Sequence, residues 1–396
     1  MATANSVSNA HSTVTSDPAE FVVFVAPMPT EQLESVFANL TTGFRPEELL
    51  IATPNDATGT AFSTLRIVPT QATNAVWPLA AADFVSSFHA AKENDARVIL
   101  MLGPGADSLS PVAIRALADS VYESRADLAL PHYSLPPNAG LVNSAILYPL
   151  NRALFSSRVR FPLSIDMALS VRMAERLATI SQRLANTNQP EAIVWPVSEA
   201  MVAGLSIDEI DTGTRVLPQP AEPNVNAILT LVTGSLFADI EAKAAVWQRP
   251  RRLLPEQRTF SSSPAIDGSV DIAPMVEAFR LAFTNLQEIW SLVLAPNSLL
   301  GLKRLSVVEP SAFRMPENLW ARIVFDFLVA YRLRTINRGH LLGALIPLYL
   351  AWVAGHINVV GSGTDSEAHV EAVASAFESE KQYIVSRWRW PDRFNS

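Results

Sequence analysis

The stretch VILMLGPGADSLSP, Val98 to Pro111, decides how the rest of the chain is read. Val98 to Leu102 is an unbroken apolar run with no polar face, as in a strand covered on both sides of an α/β sheet, and Gly103-Pro104-Gly105 ends it abruptly. Ser110-Pro111 then opens a helix-like segment, VAIRALADSVYES, with proline at a first-turn position. Open α/β sheets hold their ligands outside the carboxyl ends of the strands, so a charged reaction centre belongs on this turn. Gly-Pro-Gly supplies no charge and no side-chain metal ligand.

Toward the N-terminus, Phe21 to Ala26 (FVVFVA) reads as a second apolar strand, followed by Pro27 and a helix opened by Thr30 with Glu31 in its first turn. Leu49 to Ala52 and Leu65 to Val68 read as further strands and Asp83 to Asn94 as a helix. This alternation predicts a mostly parallel sheet built by right-handed crossovers. Residues 1–19 hold Ser, Thr, Asn and Ala without Lys, Arg or an apolar core, and read as a disordered tail rather than a signal peptide. The expected location is cytoplasmic.

Toward the C-terminus, Leu128 to Tyr133 is a short strand, Leu141 to Leu154 a helix, Arg158 to Ser170 a loop carrying Asp166 among apolar neighbours, and Val171 to Leu184 a helix. AIVW and IDEI are strand-like pieces between stretches rich in Pro and Asn. From Ala227 the chain reads as helical: Met275, Phe279, Leu286 and Trp290 keep one face apolar, as do Leu319, Ile323, Phe327 and Tyr331, and Ser366 to Tyr383 is a further helix. Leu341 to Val360 is long and apolar enough for a membrane span, but Pro347, His356 and Asn358 favour a helix buried inside a bundle. In the tail SRWRWPDRF, Trp388 and Trp390 are expected to cover the bundle while Arg387, Arg389 and Arg393 stay in water. The predicted organisation is a tail over 1–19, an α/β domain over 20–226 and a helical domain over 227–396.

With 396 residues, 49% of them hydrophobic, the chain can bury a large core. The formal charge of −8, with basic residues scattered, argues against nucleic acid as a partner. The absence of cysteine rules out disulfides and thiolate metal sites. No histidine pair has metal-ligand spacing beside an acid, and no Gly-x-Ser-x-Gly is present.

Leu141 to Ser170 (LVNSAILYPLNRALFSSRVRFPLSIDMALS), Leu231 to Gln248 (LVTGSLFADIEAKAAVWQ), Leu319 to Trp352 and the tail FESEKQYIVSRWRWPDRF resemble a bacterial group of GT-A-fold glycosyltransferases, related to the family-2-type inverting enzymes and to the mannosylglycerate synthase type. The resemblance implies an α/β GT-A domain with a helical C-terminal domain, and an ancestral transfer of sugar from a nucleotide-sugar to a small glycerate-like hydroxy acid. In that family Mg²⁺ or Mn²⁺, held by an Asp-x-Asp motif, neutralises the leaving diphosphate. Placed on this sequence, the two acids fall on Gly103 and Gly105. The acid after the second strand has become Thr53, the Gly-Lys-Gly segment reads QATNAV near Gln71 to Val76, and the later Gly-Ile-Asp segment falls on Glu191-Ala192-Ile193, where Ala192 carries no charge. A late His-Asp pair would fall near Val216 to Pro218, where there is no histidine.

Asp166 remains where the pattern has an acid, although Ser164 and Ile165 replace the two preceding glycines. It reads either as an acceptor-binding carboxylate or general base, or as the cap of the helix that follows. His132, Tyr133 and Asn143 are candidates for the acceptor side of the cleft. Two functions follow from the resemblance. One is a binding or scaffolding protein without a metal cofactor, partnered by an active paralogue or by its own copies. The other is a metal-independent transferase in which Arg249, Arg251 and Arg252, with Arg258, replace the cation on a nucleotide-sugar.

Overall fold

Every residue of Phe21–Val25 (β1), Leu49–Thr53 (β2) and Val98–Leu102 (β4) is buried, as strands without a polar face must be. The computed structural model describes residues 19–55, 62, 64–71, 78–187, 189, 192–217, 225–249 and 270–391. All of the expected tail except Ala19 lies outside these, and Ala19 is packed into the core. Between the buried strands come Thr30–Gly43 (α1), Arg66–Pro69 (β3) and Ala81–Glu93 (α2); Pro111–Tyr122 (α3), Leu128–Ser134 (β5) and Tyr148–Phe155 (α4) follow. Asp166–Ser170 (β6), Val171–Asn186 (α5), Pro196–Ala203 (α6) and Ile207–Thr214 (β7) complete an α/β unit.

The seven strands lie in the order β3-β2-β1-β4-β6-β5-β7. Pairing is parallel except at β6, which runs antiparallel to both β4 and β5. The segment expected to be a loop is therefore a strand at its C-terminal end. Met167 and Leu169 face one core and Ala168 the other. Five residues that run into α5 with only the Ser170 cap between them leave the start of the strand unmarked in the sequence. Phe21, Val23, Val25, Ile51 and Leu100 face α1 and α3, while Val22, Phe24, Leu50, Ile99 and Met101 face α2 and α5, so both sheet faces are covered.

Beyond the sheet stand Val225–Ala242 (α7), Ala244–Trp247 (α8), Ala273–Asn285 (α9), Gln287–Val293 (α10), Pro296–Leu305 (α11), Glu317–Leu333 (α12), Arg338–Gly361 (α13), Ser366–Ser379 (α14) and Lys381–Arg389 (α15). They share one core that also takes in Ala145 to Phe155. Four buried indoles bind it: Trp195 Nε1 donates to Ser235 Oγ, Trp247 to the Ile240 carbonyl, Trp290 to that of Ala344 and Trp320 to that of Ala145. Helix α13 is long and apolar enough to cross a membrane, but 61% of its most apolar window is buried by the rest of the protein.

Several local expectations change. Thr30 is the first helical residue, preceded by Pro29, and makes no cap bond. The stripe from Met275 to Trp290 breaks at Leu286 and the helix expected over Ser366 to Tyr383 breaks at Glu380, so each spans two helices, whereas the stripe from Leu319 to Tyr331 lies on α12 alone. AIVW forms a single bridge, Ile193 to Ala80, before α6 begins. Arg387 is buried against Asp326, because that carboxylate, itself buried in α12, needs a close counter-charge; Trp390 is 60% exposed.

His356 of α13 and His369 of α14 are hydrogen-bonded Nδ1 to Nδ1 at 2.7 Å and stacked on Trp352. Such a bond has room for one proton. Burial and the neighbouring His369 lower the His356 pKa to about 4, with Arg160 adding to the effect and Glu367 and the Pro137 carbonyl opposing it; burial also lowers that of His369. An unfolded histidine titrates near 6.5, so below that pH the unfolded chain takes up the proton first. Stability then falls with pH until about pH 4. Asp83, whose burial raises its carboxyl to about 6, acts in the opposite sense and cancels when wild type is compared with His356→Gln. Between pH 7 and pH 5, urea denaturation should show wild type losing about 2 kcal/mol more than this variant.

Candidate functional site

The strand order reverses direction between β1 and β4, which makes the carboxyl ends of these two strands the place where such sheets bind ligands. The backbone closes there, with Ala26 N donating to the Leu102 carbonyl at 2.9 Å. Thr53 is fully buried and donates its hydroxyl to the Val25 carbonyl at 2.9 Å. Asn55 then bridges Thr53 Oγ1 and the Ala26 carbonyl through Nδ2 and accepts from Met28 N.

Asp166 opens β6 directly opposite Leu102, so the antiparallel strand delivers its carboxylate to the same edge. That carboxylate is fully buried. Oδ1 accepts from Gly103 N at 3.0 Å, and Oδ2 accepts from Tyr133 Oη at 2.7 Å. Burial and the adjacent carboxylate push the Tyr133 phenol well above its usual pKa, so it stays a donor. The counter-charge is Arg215, the residue after β7, whose side chain is 0% exposed.

A guanidinium carries five N–H donors, and each is committed within the protein. Nε and Nη2 reach Asp166 at 2.9 and 3.3 Å, Nη2 also reaches the Pro104 carbonyl at 2.9 Å, and Nη1 reaches the Val216 carbonyl at 2.8 Å and Ser108 Oγ at 3.2 Å. Ser108 Oγ in turn donates to the Gly105 carbonyl.

Close contacts at this edge explain the two glycines. A Cβ on Gly103 would lie 2.7 Å from the Ile165 carbonyl oxygen. A Cβ on Gly105, whose φ is +77°, would lie 2.7 Å from Arg215 Nη1 and 2.9 Å from the Val216 carbonyl oxygen. Ile165 leaves no room for a side chain at Gly103, and Arg215 with the Val216 carbonyl leaves none at Gly105. The donor set does not fit a divalent cation: both Asp166 oxygens are taken, and a guanidinium stands beside them. Asp107 keeps one buried oxygen without a partner, but among the described residues no group of three or more His, Asp or Glu could hold a metal.

The other sequence-derived candidates divide. Tyr133 joins the Asp166 cluster. His132 Nδ1 lies 3.4 Å from Glu209 Oε1, and Asn143 Nδ2 donates to the Arg160 carbonyl at 2.8 Å, so both belong to a neighbouring network in which Arg160 pairs with Glu367 of α14. Asp166 is not the cap of α5; Ser170 is, accepting from Met173 N. The Ala192 carbonyl accepts from Ala81 N at the start of α2. Arg249 is exposed after α8, whereas Arg251, Arg252 and Arg258 lie outside the described residues, as do Asp56 to Thr60, Ala72 to Val76, Glu191 and Pro218. Sequence reasoning missed Arg215 and Ser108. The only signal is a lone arginine closing the strand-like IDEIDTGT, and its partner lies 49 residues away.

Arg215→Ala should destabilise the protein by about 3–5 kcal/mol, because it strands a buried carboxylate. Arg215→Met combined with Asp166→Leu should cost clearly less than either single change. Urea unfolding midpoints of the three variants check this.

No protein-family model and no curated protein matches the chain. Among solved structures it is similar to glucosyl-3-phosphoglycerate synthase from Mycobacterium tuberculosis in complex with phosphoglyceric acid, at 13% identity and a TM-score of 0.36 over 56% of this chain and 79% of that one. It is similar to the same protein in complex with UDP at 16% identity and a TM-score of 0.39, again over 56% and 79%. A further similar structure, described as a mycobacterial protein, gives 14% and 0.37 over 56% of this chain and 74% of that one. Similarity this distant assigns neither a family nor an activity.

Proposed function

We propose that the chain is a GT-A-type glycosyltransferase relative that has given up metal-dependent sugar transfer and works as a binding or scaffolding protein. The observation that carries this reading is the Arg215 guanidinium buried on Asp166 at the carboxyl edge of β4. A departing nucleoside diphosphate needs positive charge held at that edge, supplied by a cation or by free basic groups. Here the charge at the edge is satisfied from within. Turning Arg215 outward toward a pyrophosphate would leave Asp166 buried without a counter-charge, at a cost of about 3–5 kcal/mol. The same committed donors weigh against a metal-independent transferase that would use this arginine.

Calorimetric titration of the intact protein with UDP-glucose and with GDP-mannose, each with and without Mn²⁺, tests the reading. The expected result is no gain in binding from the metal, and no nucleoside diphosphate released when phosphoglyceric acid is added. Micromolar binding that tightens tenfold or more with Mn²⁺, or steady release of UDP or GDP, overturns it.

A further inference from the structure

A groove of about 1070 Å³ lies between α5 and α7, away from the Asp166 edge, and is at the upper end of the size of small-molecule sites. One wall is a face of α5 formed by Ile180, Arg183 and Leu184; the other is a face of α7 formed by Leu231, Ser235 and Ala238. The small residues on α7 keep the walls apart, and Leu231 is left 38% exposed. The charged groups of the floor and its indole are already paired. Trp195 Nε1 is committed to Ser235 Oγ, and at the inner end Glu199 accepts from Lys243 at 2.7 Å and Arg176 at 2.8 Å, with Asp239 also bound to Lys243. Those four charges cancel, so that end has no net charge to offer a ligand.

Arg183 differs. It lies two turns beyond Arg176, about 10 Å along the helix, and its side chain is exposed at the rim with no hydrogen-bond or ionic partner among the described residues. The geometry points to an amphipathic anion as the ligand of this groove: an apolar chain lying between α5 and α7, with one carboxylate or phosphate head on Arg183. The apolar walls supply the affinity by burying the chain, and the unpaired guanidinium fixes which end faces out. This inference is independent of the proposed loss of sugar transfer.

The intact protein is titrated with 11-(dansylamino)undecanoic acid, following dansyl fluorescence, and the probe is then displaced by dodecanoate, dodecyl phosphate or dodecanol. Saturable binding is expected, with one or both anions displacing the probe at least tenfold better than dodecanol; which of the two does so identifies a fatty-acid or a phospholipid type of head. Arg183→Ala should weaken anion displacement about tenfold and leave dodecanol unchanged, the scale of one charge-assisted hydrogen bond. Ala238→Trp should abolish probe binding by filling the groove. Both residues are exposed, so neither substitution disturbs the core, and unchanged melting temperatures verify it. Failure to saturate, equal displacement by dodecanol, or binding that survives Ala238→Trp overturns the inference.

Discussion

A single buried ion pair, Arg215 with Asp166, fixes the carboxyl edge of this sheet. It joins the residue after β7 to the first residue of β6, and through the Pro104 carbonyl, Ser108 and Gly103 N it holds the turn that follows β4. Taking two charges out of water is unfavourable unless every donor and lone pair is met, and here the backbone of Gly103, Pro104 and Val216 meets them together with the Ser108 and Tyr133 hydroxyls. The chain therefore needs glycine twice on that turn, once for a carbonyl and once for a guanidinium. Gly105 and the buried Arg215 are two parts of one arrangement.

The reversed strand makes this possible. Had β6 run parallel to its neighbours, its first residue would sit at the opposite edge, and Asp166 could not face Gly103. Because it runs back, the register Leu102 to Asp166 places a carboxylate where the parallel strands end. The one reversed strand thus does more to define the edge than the apolar strands of equal length beside it.

What was legible in the sequence follows from which interactions are local. The strands β1, β2 and β4 announce themselves because burial on both faces demands continuous apolar runs. The helical character of the C-terminal region is equally plain from its spacing. The short strand β6 was not legible, since nothing marks its start, although Ser170 marks its passage into α5. Arg215 was invisible for a different reason: a salt bridge across 49 residues leaves no pattern in either segment, and the arginine reads like any polar residue at a strand end. The same holds for Arg387, expected in water and found against Asp326. Lone charges in apolar company are settled by partners that only the fold can supply.

The indoles that bond into the helical core are unevenly distributed along the chain. Among the described residues every tryptophan stands at position 195 or later, and none belongs to a sheet strand. In a Trp77→Phe variant, ultraviolet emission would therefore come from residues that, apart from the exposed Trp390, pack into the helical core, while the peptide signal of the strands watches the sheet. Heating the protein with both read-outs would separate a chain that melts as one cooperative unit from one whose halves come apart in turn.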